Sequence, residues 1–217
     1  MNCLLCQASN PAPFKVDKNP QRSYFHCAVC DLIFMNPAER LGPQDEKRRY
    51  DQHQNEGSSG YQAFLEPLVK YIDDHFKTSG HVANSLTTLD FGCGPTAFLS
   101  QLLSYRGYRT SHYDLYYFPD QSALRSTYNF VTSTEVWEHL FNPKQEIEKI
   151  LRLVKPGGLV GVMTSAHRGE ATFHDWHYRR DPSHVVFYSE KSMNWIASTY
   201  KLKVLKAQSP YWVLQKI

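Results

Sequence analysis

The chain has 217 residues, enough for one α/β domain and a small appendage but too few for two full domains. Aromatic residues make up 14%, which suits a packed globular protein and argues against disorder. The net charge of +3, from 24 basic and 21 acidic residues, is too mild and too evenly spread to imply nucleic acid.

At the N-terminus, MNCLLCQ lacks the charged region followed by an apolar one that marks export, and no apolar run approaches the roughly 20 residues that span a bilayer. A cytoplasmic location is expected. Cys3 and Cys6 form one C-x2-C pair and Cys27 and Cys30 a second, with 20 residues between the pairs. Each pair can close a tight turn that points both sulfurs at one ion, and two turns complete a tetrahedral S4 site. Two disulfides are the alternative, but a reducing compartment favours zinc. Residues 1–40 therefore read as a zinc ribbon. So short a segment buries too little surface to fold alone, whereas structural zinc contributes on the order of 10 kcal/mol. Four thiolates leave no open position on the ion, so the site is structural. The ribbon then either docks a partner or reinforces the domain that follows.

Residues 31–43 leave the ribbon through proline-marked turns, and residues 41–80 read as a helical linker. Helices are predicted over Arg48–Gln54 and Tyr61–Phe76, the latter from Phe64, Leu65, Leu68, Val69 and Ile72 at helical spacing. Between them, Asn55–Gly60 is a flexible break. The basic cluster Lys47, Arg48, Arg49 reads as a solvated helix face. Tyr50, His53 and Tyr61 are either pocket-facing or ordinary packing residues.

Residues 81–217 read as an α/β domain. Thr87–Phe91 is a short apolar strand, followed by the glycine turn of LDFGCGPTA and helical signals over Ala97–Leu103. Gly92, Gly94 and Ala97 satisfy G-x-G-x-x-G/A, so a dinucleotide fits on spacing alone. Asp90, however, would repel a pyrophosphate and attract the ammonium and sulfonium of S-adenosylmethionine (SAM). The sequence favours SAM. Asp114 ends the stretch Tyr108–Leu115, 20 residues after Gly94, where a carboxylate can accept hydrogen bonds from both ribose hydroxyls. Cys93 is either a nucleophile or a small side chain packed under the loop. Further on, Tyr128–Thr132 is a strand, Lys144–Leu153 an amphipathic helix, and Lys155–Gly158 (KPGG) a tight turn into the strand Leu159–Thr164. Ser189 caps a helix through Ala197. Lys203–Ala207 and Tyr211–Gln215, around the Gln208-Ser209-Pro210 turn signal, form a last antiparallel pair.

Taken together, DFGCG, the acidic residue after the second strand, EVWEH and VKPGG resemble the motifs of class I SAM-dependent methyltransferases, over roughly residues 81–217. The whole chain, including YDQHQN near residue 50 and WHYRRDPSH near residue 180, resembles a group of short bacterial methyltransferases with an N-terminal zinc ribbon. The resemblance implies a Rossmann-like sheet and a cofactor site drawn from Asp90, Gly92, Cys93, Gly94, Asp114, Leu115, Thr134 and Glu135. It also implies that the helices before the first strand cover the cofactor. One departure stands out: only 15 residues separate Asp114 from Phe130, where the family usually fits a further strand and its crossovers. Six strands are therefore expected instead of seven, with the last antiparallel. Tyr116, Tyr117 and Phe118 then sit where an adenine could stack, or they cover a sheet edge.

Ligands of open α/β sheets bind beyond the carboxyl ends of the strands. Two polar segments occupy that rim, Glu135–His139 and the long connection Ser165–Tyr188. Methyl transfer needs an oriented acceptor, proton removal where necessary, and exclusion of water. The loop from Phe173 to His184 is expected to close over the sulfonium, with His177 or His184 as base and Arg179 or Arg180 steering an anionic acceptor. Glu138 and His139 are further candidates for the chemistry, or fix the rim. A metal site drawn from Glu138, His139 and the loop histidines matches no familiar ligand spacing. The leading reading is methyl transfer from SAM to a small molecule. Alternatives are RNA or protein methylation with the ribbon as docking module, a non-catalytic SAM-binding protein, and, last, a dinucleotide oxidoreductase.

Overall fold

A computed structural model describes residues 1–52 and 59–217. His53 and residues 55–58 of the expected break lie outside the described residues, while Ser59 and Gly60 already belong to a helix. The first segment is a small sheet: β1 (Ala12–Val16), β2 (Arg22–His26) and β3 (Ile33–Met35) pair antiparallel in that order. Two helices follow, α1 (Pro43–Tyr50) and α2 (Ser59–Thr78). α1 overlaps the expected helix Arg48–Gln54 only over Arg48–Tyr50, since it starts at Pro43 and ends at Tyr50. Pro43 is preset for the first turn, Asp45 and Glu46 sit at the positive end of the helix dipole, and Lys47, Arg48 and Arg49 sit in its last turn.

The larger unit runs β4 (Thr87–Phe91), α3 (Phe98–Tyr105), β5 (Arg109–Tyr113), β6 (Tyr128–Thr134), α4 (Pro143–Arg152) and β7 (Val154–Met163). Next come the single turn α5 (Glu170–Phe173), the two-residue β8 (Val186–Phe187), α6 (Glu190–Thr199), β9 (Leu202–Gln208) and β10 (Tyr211–Lys216). Six strands form one sheet in the order β5-β4-β6-β7-β10-β9. β5, β4, β6 and β7 are parallel, and β10 runs antiparallel to both neighbours. The expected six-strand Rossmann-like sheet is present. Between β5 and β6 the chain makes only a short 3-10 turn, Gln121–Arg125, and β4 pairs directly with β6.

KPGG is not a turn before the strand but lies inside β7. Tyr128 pairs with Val154 and Phe130 with Leu159, so Lys155–Gly158 bulges out of the ladder. Both glycines are required: Gly157 has φ +76°, and a Cβ on Gly158 would lie 2.7 Å from the Asn129 carbonyl oxygen.

One face of the sheet is covered by α2 and α3, through Leu65, Leu68, Val69, Ile72, Leu99 and Leu103 against Phe130, Leu159 and Met163. The opposite face packs α4 and α6 into a cluster that also contains Leu5, Tyr24, Leu32, Ile33 and Phe34 of the cysteine-bearing segment. That segment is joined to the rest by backbone as well. β8, from the long connection after β7, pairs antiparallel with β3 and becomes the fourth strand of the small sheet. Ser189 caps α6 through a reciprocal bond with Ser192, as its position predicts.

Candidate functional site

A cleft of about 1460 Å³ opens beyond the carboxyl ends of β4, β5 and β6. Its floor is the glycine turn, where Gly92, Gly94 and Ala97 all have positive φ (+80°, +66° and +47°). The Gly92 and Cys93 amides donate to the Tyr113 carbonyl at 2.7 and 3.2 Å. A Cβ on Gly92 would meet Val136 Cγ2 at 2.3 Å, so only glycine fits there. Asp114 lines the cleft and organises its own turn. Its Oδ2 accepts the Gly94 amide at 3.0 Å, and its Oδ1 accepts those of Tyr116 and Tyr117 at 2.9 and 3.1 Å. Leu115, Tyr116 and Tyr117 also line the cleft.

The aromatic turn is tied to α1. Tyr116 donates to Glu46 Oε2 at 2.5 Å, Tyr117 donates to Asp51 at 2.7 Å, and the Tyr50 ring packs on Tyr116 and His139. Arg49 of α1 bridges to Asp181 at 2.6 Å, linking this cover to the long connection. Tyr50 and Tyr61 both line the cleft. These tethers were not visible in sequence, because nothing in the spacing of Glu46 or Arg49 marks partners more than 65 residues away.

At the inner end, β6 delivers Thr134 and then Glu135, which adopts φ +53° and turns the chain into the 3-10 turn Trp137–His139. Glu138 is fully buried, and the Tyr178 hydroxyl donates to its Oε1. Tyr178 also lies 3.5 Å from Glu135 Oε2. Burial, and then the neighbouring Glu138, push the Glu135 carboxyl up to about 9. Burial holds the His139 imidazole down, to about 4. The two histidine rings lie 4.8 Å apart, and both line the cleft. His139 Nδ1 is 3.0 Å from the Ser183 carbonyl, and His184 Nδ1 is 2.7 Å from that of Tyr178.

The remaining candidates separate. His177 and Arg180 are exposed on the cleft rim. Arg179 does not steer an acceptor. It is 1% exposed and its guanidinium donates to the carbonyls of His174, Pro20 and Lys18, clamping the connection to the small sheet. Its neighbour in sequence faces the opposite way, a distinction no sequence pattern carries. Asp90 also differs from expectation: it is 1% exposed beneath the turn, accepting from Ser100 and Thr132 at 3.2 Å, so it is not placed directly in the cleft. Cys93 lines the cleft, but burial, with Asp90 and Asp114 nearby, holds its thiol in the protonated form and disfavours a nucleophile. Phe118 packs on His112 rather than into the cleft. Tyr178, which the sequence did not single out as a site residue, connects the two glutamates.

The four paired cysteines converge. Cys3 and Cys30 sulfurs are 3.5 Å apart, as are those of Cys6 and Cys27, and all four lie within 4.8 Å of one another. A tetrahedron with metal–sulfur bonds of about 2.3 Å has edges of about 3.8 Å, so the set fits one zinc ion. Behind it, His26 bridges Asp31 and Glu170 at 2.8 Å each, and Ser189 donates to Asp31 at 2.6 Å. The cysteine segment is thereby fastened to both ends of the long connection.

A family described as "Methyltransferase domain" matches residues 58–207. The chain belongs to this family. Among solved structures, this methyltransferase is similar to the 1,6-didemethyltoxoflavin-N1-methyltransferase of Burkholderia thailandensis, which was solved with 1,6-didemethyltoxoflavin and S-adenosylhomocysteine. The TM-score is 0.56 at 13% identity, over 94% of this chain and 98% of that one. It is also similar to the magnesium protoporphyrin IX methyltransferase of Synechocystis PCC 6803 with bound S-adenosylhomocysteine, at TM-score 0.51 and 13% identity, over 80% of this chain and 94% of that one. Comparison with curated proteins gives no match. By family and fold the chain is a class I SAM-dependent methyltransferase. No helix among the described residues is long and apolar enough to cross a membrane.

Proposed function

We propose that this methyltransferase transfers the methyl group of SAM to a small molecule held in the cleft. The observation that carries the reading is that the glycine turn and the Glu135–His139–His184 cluster open into the same space. SAM would lie over Gly92, Cys93 and Gly94, with Asp114 on the ribose hydroxyls and the adenine against Leu115, Tyr116 or Tyr117; Thr134 and Glu135 would face its methionine end. Asp90 would act from below, through the turn. At the acceptor side, His184 is the better placed base. Its Nδ1 proton is committed to the Tyr178 carbonyl, which leaves the Nε2 lone pair for a substrate proton. Arg180 and His177 on the rim would meet an anionic acceptor as it enters.

A small acceptor is favoured over RNA or protein because α1 and the Arg49–Asp181 bridge cover part of the opening. The names of the two structural neighbours agree. The cysteine segment, carrying one structural zinc, would serve to hold the long connection in place. A reducing cytoplasm, where the four thiolates stay available to metal, suits this reading. Asp114→Ala is expected to weaken SAM binding by about 1.5–3 kcal/mol, the range for hydrogen bonds to a charged group. Titration calorimetry of both proteins checks this, with NAD as the control that should not bind. Unchanged affinity would move the ribose contact elsewhere.

A further inference from the structure

Glu135, His139 and His184 line the inner end of the cleft, and the Glu138 carboxylate lies buried just behind them, in a form that asks for a cation. Glu138 is fully buried, yet its Oε2 has no hydrogen-bond partner among the described residues, and neither has Oε1 of Glu135. Their shared donor is one tyrosine hydroxyl, Tyr178. Paired carboxylates out of water without a positive partner are costly, and a shared proton or a bound cation relieves the cost.

The geometry of the histidines favours the cation. A carbonyl oxygen only accepts, so His139 Nδ1 must donate to Ser183 and His184 Nδ1 must donate to Tyr178. Each ring therefore keeps its Nε2 as an unprotonated donor atom when neutral. An Nδ1–H held by a backbone carbonyl is the outer-shell arrangement that orients metal-binding histidines. One ligand atom each from Glu138, His139 and His184 lies within 4.8 Å of the other two. An ion with bonds of about 2.1 Å needs its ligands about 3.0–3.4 Å apart, so side-chain movements of about 1 Å close the set.

We propose that Glu138, His139 and His184 bind one divalent transition-metal ion at the inner end of the cleft, with the Glu135 carboxyl beside the set. Two nitrogens and carboxylate oxygen suit Mn²⁺, Fe²⁺ or Zn²⁺ better than Mg²⁺. Three protein ligands leave positions open toward the cleft, where an acceptor's hydroxyl or carboxylate oxygen is the natural fourth ligand; with the ion bound, His184 Nε2 is no longer the free base, and the ion instead would lower the acceptor's pKa. Only this last point rests on the methyl-transfer reading, since metal binding needs neither SAM nor acceptor.

The test uses the full chain with its cysteine site loaded with zinc. Mn²⁺ is titrated in and followed by electron paramagnetic resonance, because four thiolates discriminate against Mn²⁺. One Mn²⁺ per chain is expected, with Glu138→Gln and His184→Gln each weakening it at least about 10-fold. S-adenosylhomocysteine affinity and circular dichroism report whether those variants stay folded. In the wild-type chain, Mn²⁺ should also broaden the His139 and His184 ring resonances, a readout that needs no variant. No Mn²⁺, Fe²⁺ or Zn²⁺ beyond the cysteine site, or binding unchanged in both folded variants, overturns the proposal. A chain that binds S-adenosylhomocysteine but no second metal sinks this inference alone. One that binds the metal but no S-adenosylhomocysteine sinks the reading before it.

Discussion

Asp90 carries an unusual electrostatic load for one side chain. Burial raises its carboxyl to about 7, and the Thr132 and Ser100 hydroxyls offset only part of that. In the unfolded chain the same group titrates near 3.9. Between about pH 4 and 7 the unfolded chain has released the proton while the folded chain still holds it. Stability is therefore lost as pH rises through this window and levels off above it. Asp90→Asn removes the titration. The melting temperature of the variant should gain on that of the wild type by about 3–8 °C between pH 5 and pH 7.5, without cofactor. Thermal unfolding of both proteins in matched buffers measures it, and a pH-independent difference would contradict the assignment. The sequence told where this carboxylate sits in the motif but not that Ser100, one helical turn into α3, would close over it. Arg179 and Arg180 make the same point. Adjacent identical residues end up in opposite environments, because a 3-10 turn sends one to the ribbon and the other to solvent.

Elements with a strong local cause were legible. β4, α2, α4 and the capped α6 stand within a few residues of where periodicity and capping put them. The missing strand followed from arithmetic, since the residues after Asp114 cannot hold two crossovers and a strand. The KPGG segment was misread because glycine-proline signals mark bulges as well as turns, and only pairing with β6 tells them apart. α1 was half-read for a different reason: its partners are distant. It rests on the cleft through Glu46, Tyr50 and Arg49 rather than through an apolar stripe, and Glu46 is its one buried residue. Such an element is held by a few polar bonds and should open readily. Arg49→Met removes the bridge to Asp181 while keeping the aliphatic stem. It should cost about 1 kcal/mol and speed amide hydrogen exchange across 43–50 several-fold, with the central strands unaffected. Exchange mass spectrometry reads this directly, and equal rates in α1 would show that the bridge does not hold it.

At the scale of the molecule, the cysteine-rich segment is not a detachable module. Its apolar side chains share one core cluster with the sheet, and β8 completes its small sheet. One zinc per chain is expected on Cys3, Cys6, Cys27 and Cys30. Its removal by a strong chelator should lower the melting temperature by about 10 °C or more and loosen 166–190 along with the first 40 residues. Metal analysis without zinc, or mass spectrometry showing two native disulfides, would overturn the assignment. Protection of 166–190 unchanged after chelation would mean that the ribbon and the rim are independent.

The pairing of β3 with β8 also sets the order of events at birth. Arg22 bonds the carbonyl of Arg179 across 157 positions, and Ile33 faces Phe187. The ribosome releases the cysteine pairs well before β8, and the edge of β3 stays open until residues near 187 emerge. During translation that edge is an unpaired template for other strands. An ion captured early would tie off the hairpin, and β8 would then seal the edge that β3 had left open.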